Sequence, residues 1–296
     1  LTPGDPARQI LGADATEEAV IQLQNELGLK DAFIVRYFNY LKGICQGNFG
    51  ISYTSKQPVI QELMSRYPTI VLFAVLTVLI ACLIGIPLGI ISATRQYSWI
   101  DNFATGFAML GVSIPTFWLG LMLMLLFSVK LNWLPATGFY GPIYWILPAI
   151  TVGLPASAGI IRMTRSSMLE VIRQDYIRTA RAKGQTEHKV IYGHALENAM
   201  IPVITVIGII FGQSLGGQIV TEQVFAIPGL GKLMVDSINA RNYPVVEGGV
   251  LLIAFAYCVV NLLVDILYAF LDPRIKSQYS GSVKMHRGKD RNKHEG

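Results

Sequence analysis

Four stretches of this chain carry no Asp, Glu, Lys or Arg: those between Arg66 and Arg95, Asp101 and Lys130, Lys130 and Arg162, and Glu197 and Glu222. An uncharged apolar run of about 18 residues or more is long enough to cross bilayer hydrocarbon. Several such runs in one chain leave little room for a water-soluble fold. Composition agrees: 52% of residues are hydrophobic and 15% charged, against about 25% charged in an average soluble protein. A soluble enzyme, a disordered chain and a disulfide scaffold are thereby excluded. Cys82 and Cys258 sit inside apolar runs and Cys45 stands alone in a polar region, so no disulfide framework is on offer.

Five spans are expected, over 70–93, 103–129, 144–161, 199–220 and 245–271. All but the third reach the ~20 residues that ~30 Å of hydrocarbon requires. The third continues into a polar helical stretch, 162–173, so its helix exceeds its apolar part. The net charge of +5 is unevenly spread. Segments 162–198 and 272–296 hold seven Lys and Arg each, whereas 130–143 holds one and 221–244 holds two. The positive-inside rule places the basic segments in the cytoplasm, which reads as topology rather than nucleic-acid binding. Segment 94–102, with only Arg95 and no Lys, falls on the cytoplasmic side too. Five spans and an inside C-terminus put 1–67 outside. The chain opens Leu1-Thr2-Pro3-Gly4-Asp5-Pro6, with no Met and no hydrophobic lead. Either a signal peptide has been removed or a further span precedes Leu1, and the further span is the expectation.

Segment 1–67 reads as folded. Asp14 or Thr16 is placed to cap a helix with Val20, Leu23 and Leu27 on one face and Gly28 at its end. Phe33, Ile34, Tyr37, Phe38, Leu41 and Ile44 recur at helical spacing, and Pro58 is placed to open a third short helix with Ile60, Leu63 and Met64. The segment is expected to be a cap on the membrane domain, or a docking or gating surface for an external partner.

Chemistry-bearing patterns are sparse. Pro228-Gly229-Leu230-Gly231-Lys232-Leu233 approaches a P-loop, but Ala226 stands where the first Gly belongs and Leu233 replaces Ser or Thr. His188, His194, His286 and His294 have no metal-site spacing. The chain is expected to catalyse nothing and to hold no metal or cofactor of its own. Gly85 and Gly89, and Gly208, Gly212 and Gly216, form small-residue ladders suited to close helix packing, and Pro87 and Pro115 are expected kinks. Glu247 and Asp265, with Asn261 four residues before the latter, read as anchors near the ends of the last span rather than as a proton path.

The most informative segment is 175–198. Asp175-Tyr176-Ile177-Arg178-Thr179-Ala180-Arg181-Ala182-Lys183 reads as a short helix stopped by Gly184. Small residues Thr179, Ala180 and Ala182 permit close approach of another surface, ringed by Arg178, Arg181 and Lys183. A second helix starts near Thr186 and runs into the fourth span. The stretch resembles the coupling loop of ABC-importer permeases, whose pattern is Glu-Ala-Ala, three residues, Gly, nine residues, Ile-x-Leu-Pro. Ala180, Gly184 and Leu196 match; Arg178, Thr179, His194 and Glu197 depart. The departures resemble the dipeptide/oligopeptide (peptide/nickel) branch, marked by Tyr-x-Arg-Thr-Ala-Arg-Ala-Lys-Gly and then His-Ala-Leu-x-Asn-Ala-x-Ile-Pro, both present here. Pro3-Gly4-Asp5-Pro6, Gly47-Asn48-Phe49-Gly50, Pro228-Gly229-Leu230-Gly231 and Asp272-Pro273-Arg274 look like landmarks of that branch in the right order.

The resemblance implies an all-α polytopic membrane protein with a type I ABC-importer transmembrane domain, five spans visible of the family's six. It implies an external helical segment 1–67, a permease domain 68–273 with a coupling loop 162–198, and a cytoplasmic tail 274–296. The implied role is an inner-membrane importer subunit forming half of a translocation path for di- or oligopeptides. Nickel, a metal chelate or glutathione is the alternative cargo, and a proton-coupled carrier the rival class. Implied partners are a second permease, two ATPase subunits that hold the ATP and Mg, an external solute-binding protein and membrane lipid, with no nucleic acid. Tyr176, Arg178, Thr179, Ala180, Arg181, Ala182, Lys183, Gly184, His194 and Leu196 are the implied ATPase-coupling residues. Segments 1–67 and 221–244 are the candidates for meeting the binding protein.

Overall fold

A computed structural model describes residues 6–12, 14–26 and 28–271. The expected tail, the Asp272-Pro273-Arg274 landmark, His286, His294 and Leu27 lie outside these residues, as does most of the Pro3-Gly4-Asp5-Pro6 landmark.

The described chain is helical. Three short helices come first: α1 (Pro6–Leu11), α2 (Glu17–Glu26) and α3 (Phe33–Cys45). Thr16, not Asp14, caps α2, its hydroxyl accepting from Ala19 N at 3.4 Å. Val20 is buried, and Gly28 takes a left-handed φ of 61° just past the helix end. Pro58 caps the next helix, as its fixed φ favours. That helix is not a separate short one: α4 (Val59–Thr94) runs unbroken into the first span, because Leu63 and Ile70 continue one buried face with Val59.

Four described helical stretches are long and apolar enough to cross a membrane: α4, Pro142–Ile172 with α7 (Ile146–Ile172) as its body, Glu187–Leu215, and Tyr243–Leu267. The third span thus gains length from its polar extension, as expected. The second expected span is not one rod. It divides into α5 (Trp99–Ser113) and α6 (Thr116–Leu123), the latter continued by a π-helical turn Met124–Lys130, and the two halves meet at 102°. The cause is Pro115. It pushes Ile114 out of the helical region, to φ −82° and ψ 124°, and it offers no N–H to carry the ladder on. Pro87 stays inside α4 without such a break.

The glycine ladders are where the rods touch. A Cβ on Gly85 would lie 2.6 Å from Ile160 Cβ, and one on Gly89 2.5 Å from Thr164 Cβ. Gly153 answers from α7, where a Cβ would meet Ile80 at 2.9 Å. α4 and α7 form the main pair of the bundle. α10 (Leu196–Leu215) and α13 (Tyr243–Leu271) form the second, with Gly208 against Val264 and Gly212 against Tyr257. Between them the chain makes α11 (Ile219–Val224) and α12 (Leu230–Asn239). Small residues let backbones approach where lipid supplies no hydrophobic drive.

An ion pair on a buried carboxylate braces α4, α5 and α7. Asp101, buried at the start of α5, accepts from Arg165 of α7 through both oxygens, at 2.7 and 2.9 Å. Ser92 Oγ of α4 and Tyr97 N also donate to it. Three helices therefore converge on one carboxylate. Nothing in local spacing announces this pair, which spans 64 positions.

Candidate functional site

The segment of interest follows α7. Gln174, in extended geometry, precedes α8 (Asp175–Ala182). Gly184 ends it in a Schellman arrangement: Gly184 N donates to Arg181 O at 2.9 Å and Gln185 N to Ala180 O at 3.4 Å. Gly184 has φ 75°, and a Cβ there would meet no atom within 4 Å. Glycine is favoured at this position for backbone conformation, not for space.

Only Ile177 of α8 is buried. It inserts among Ile90 and Ala93 of α4, Met168 of α7, and Val190, Ile191, Ala195 and Ala199 at the base of the next helix. Ala180 packs partly against the same cluster, so it serves the docking of α8 on its own bundle. Tyr176, Arg178, Thr179, Arg181, Ala182, Lys183 and Gly184 are exposed. Thr179 Oγ1 donates to Asp175 O at 2.9 Å.

The return strand of the loop is also ordered. α9 (Glu187–Lys189) continues through a π-helical turn, Val190–Ala195, into α10. Arg181 grips Glu187 through two contacts of 2.7 and 3.3 Å. His194, on the widened turn, lies 2.6 Å from Gln185 through its Nε2, which ties α10 to the turn after Gly184. Leu196 packs on the Ile177 cluster. His194 and Leu196 thus face inward and shape the loop, while the exposed side of α8 is what another protein can touch. A groove of about 330 Å³ flanks it, bordered by Arg95, Arg181, His188 and Tyr192. Sequence reasoning missed Ile177, Gln185 and Glu187. Ile177 is the apolar residue of α8 placed one turn before Arg181, and that spacing was the available signal.

The opposite end of the bundle holds a different arrangement. Phe225 and Ile227 are buried with Phe73, Trp145, Leu147 and Val152, and α6 closes on Phe225 through Gly120. Glu222 is buried as well. Its carboxylate accepts from Gln218 N at 3.0 Å and Lys232 N at 2.8 Å, with Gly231 N–H also donating. Burial pushes its carboxyl above the usual carboxylate range, and the three N–H donors oppose that shift. A Cβ on Gly229 would come within 2.4 Å of this carboxylate. The run Pro228-Gly229-Leu230-Gly231 is therefore a cradle for a carboxylate of the same chain, at the start of α12. Segment 221–244 is in large part an embedded plug.

Asn242 joins this end to the first helices: Tyr53 N donates to its Oδ1 at 2.9 Å, and its Nδ2 donates to Ser52 Oγ at 2.8 Å. The hydroxyl of Tyr40 on α3 bonds Glu247 of α13, and burial followed by that carboxylate pushes its pKa up to about 12. Glu247 is an anchor, as expected. Asp265 is exposed on α13.

These features can be set beside known proteins. Residues 85–277 match the family described as binding-protein-dependent transport system inner membrane component, and residues 1–74 match its N-terminal counterpart. The chain belongs to this family. It is 41% identical to the dipeptide transport system permease protein DppB of Alkalihalophilus pseudofirmus, over 93% of this chain and 91% of the relative. It is 42% identical to the glutathione transport system permease protein GsiC of Salmonella typhimurium, over 93% of this chain and 90% of the relative. In fold it resembles a chain of the MetNI methionine ABC transporter in inward-facing conformations, with a TM-score of 0.61 at 19% identity, covering 72% of this chain and 97% of that one. This inner-membrane component is thus a permease subunit of an ABC importer with the transmembrane-domain fold. The family is one of permeases rather than catalytic subunits.

Proposed function

We propose that this permease forms half of the path for short peptides through the inner membrane and is driven by α8. The observation that carries the coupling role is the way α8 is held: a short helix, stopped at Gly184, docked by buried Ile177 with Ala180 half-buried beside it, and otherwise exposed. Such a helix transmits displacement to the bundle because Ile177 bears on α4, α7 and α10 together. It seats in an ATPase subunit that holds the ATP and Mg, and a second permease and a second ATPase complete the machine. Segments 1–67 and 221–244 stand outside, 162–198 and the tail inside, as the Lys and Arg distribution favours. An external binding protein delivers cargo to the exposed parts of α1, α2 and α12.

Di- and oligopeptides are the first cargo. Glutathione is the second reading, favoured by the Salmonella relative; it too is a short peptide. Uptake by cells lacking only this gene, with labelled dipeptides, oligopeptides, glutathione and nickel, tests the assignment. Loss of peptide uptake, restored by the wild-type gene, is expected; loss of nickel uptake alone overturns the cargo.

Gly184 tests the coupling. Gly184→Leu is expected to abolish uptake while the protein still inserts, since a left-handed non-glycine residue costs about 1–2 kcal/mol at the turn that sets α8. Gly184→Asn tolerates that conformation and is expected to retain most uptake. Unchanged transport with Leu removes the coupling role.

A further inference from the structure

Among the described residues α3 is the longest helix of the first segment, and no span packs along it. Phe33, Ile34, Tyr37, Phe38 and Leu41 fall within an arc of about 140° at 3.6 residues per turn. All five are exposed, Phe33 at 67% and Phe38 at 64%. Tyr37 stacks on Phe33 at 6.4 Å between centroids and meets Phe38 edge-on at 5.8 Å, so the rings form one continuous apolar surface. Arg36, Asn39 and Lys42 lie outside that arc, and Tyr40 stands at its edge, about 20° from Phe33.

The edge of the arc fixes where the apolar side sits. Tyr40 is set against Glu247 near the start of α13, the charge of Arg36 acts on the same carboxylate, and Phe49, four residues past the end of α3, packs beside Gly248 of α13. The exposed apolar strip of α13 begins less than a turn later, at Val250 and Leu251. α3 is therefore pinned at the level where the bundle's lipid-facing surface starts. Aromatic and basic residues on one helix at that depth match the headgroup boundary, where amphipathic rings and cationic side chains are favoured. A transient docking partner fits less well: between encounters it would leave this aromatic surface in water, and monomers rarely expose such a patch.

We propose that α3 lies in the headgroup layer of the bilayer, with Phe33, Ile34, Tyr37, Phe38 and Leu41 against lipid and Glu247 as its mooring. The docking of any soluble partner is then left to the neighbouring short helices. The placement holds whichever cargo the importer carries.

The test is an environment scan. The permease, expressed with its partner subunits and with Cys45, Cys82 and Cys258 replaced by Ala, receives single cysteines from 33 to 45. Each is labelled with a polarity-sensitive fluorophore and placed in nanodiscs with or without brominated phospholipid. Labels at Phe33→Cys, Ile34→Cys, Phe38→Cys and Leu41→Cys are expected to emit at shorter wavelength. Brominated lipid should quench them at least about twofold more than labels at Asn39→Cys or Lys42→Cys, giving a helical period across the scan. Water-like emission and iodide quenching at every position overturn the proposal. So does short-wavelength emission without lipid quenching, which would mean that protein covers the face. Because the period is read across thirteen sites, failure of one variant to fold does not remove the answer.

Discussion

The two ends of the bundle are secured by opposite means. At one end α8 is held by a single buried isoleucine, an exposed ion pair and a histidine contact, with most of its side chains in water. At the other, α11 and α12 are embedded: Phe225 and Ile227 fill the helix core, and Glu222 satisfies three backbone donors from inside the protein. A handle that another protein grips must present its surface and yield as one piece. A plug that closes an apolar bundle must leave no polar group unpaired. The contrast shows that charge and glycine mean different things at each end. Arg181 faces water and holds Glu187 on the surface of the loop, whereas the glycines of 229–231 admit a buried carboxylate.

Breaking the plug is expected to do the most damage. Glu222→Ala removes the acceptor of the Gln218, Gly231 and Lys232 N–H groups, and each buried donor left unpaired costs about 1–3 kcal/mol. The detergent-purified protein should melt roughly 10 °C lower, taking about 2–4 °C per kcal/mol for a domain of this size. Glu222→Gln keeps one acceptor oxygen and should lose about half as much. A melting temperature within about 2 °C of wild type for the alanine variant, a shift of at most about 0.5–1 kcal/mol, would mean that the cradle does not hold the plug.

Next comes the seat of the handle. Ile177→Ala deletes the one buried contact of α8, worth about 2–5 kcal/mol for an isoleucine core position. The loss falls on docking rather than on the bundle, whose rods meet elsewhere through Gly85, Gly89 and Gly208. Uptake is expected to fall more than about tenfold, a factor that 1.4 kcal/mol already supplies, with the melting temperature of the bundle nearly unchanged. If melting and uptake fall together, α8 is part of the core and the distinction between the two ends is lost.

How much of this was readable beforehand follows from range. The spans were legible because charge is excluded over whole runs, and the helix stop at Gly184 because a C-terminal glycine is a local signal. The ladders at Gly85/Gly89 and Gly208/Gly212 were legible from spacing. Pro115 announced a kink, but not one of 102°, since a proline marks where a helix breaks and not the angle that follows. Pro58 announced a helix start, but not that Leu63 and Ile70 would join it to the first span. The Glu222 cradle and the Asp101–Arg165 pair were invisible. One depends on three backbone amides and the other on side chains 64 residues apart, and neither leaves a periodic trace. In the candidate site, the exposed face of α8 was identified and its anchor was not. Thr179, Ala180 and Ala182 were read as room for another surface, and Ala180 also packs on its own core.

The smallest expected effect separates the anchors of α8 from one another. Arg181 and Glu187 form a well-aligned but exposed pair, and exposed pairs contribute about 0.2–1 kcal/mol, less as salt rises. Arg181→Gln, Glu187→Gln and the double variant, compared by hydrogen exchange of the α8 amides in the assembled importer, measure that coupling without relying on transport. Protection should fall by no more than about fivefold in either single variant, the factor that 1 kcal/mol allows. The difference should shrink towards zero in about 0.5 M salt, where screening acts within roughly 4–5 Å. Arg181→Gln will also lower uptake further than Glu187→Gln if its guanidinium meets the ATPase directly, because only one of the two then carries a second contact. A coupling energy above about 1.5 kcal/mol, outside the usual exposed range, would mean that the ion pair and not Ile177 sets the orientation of α8. In that case the handle is held from its surface.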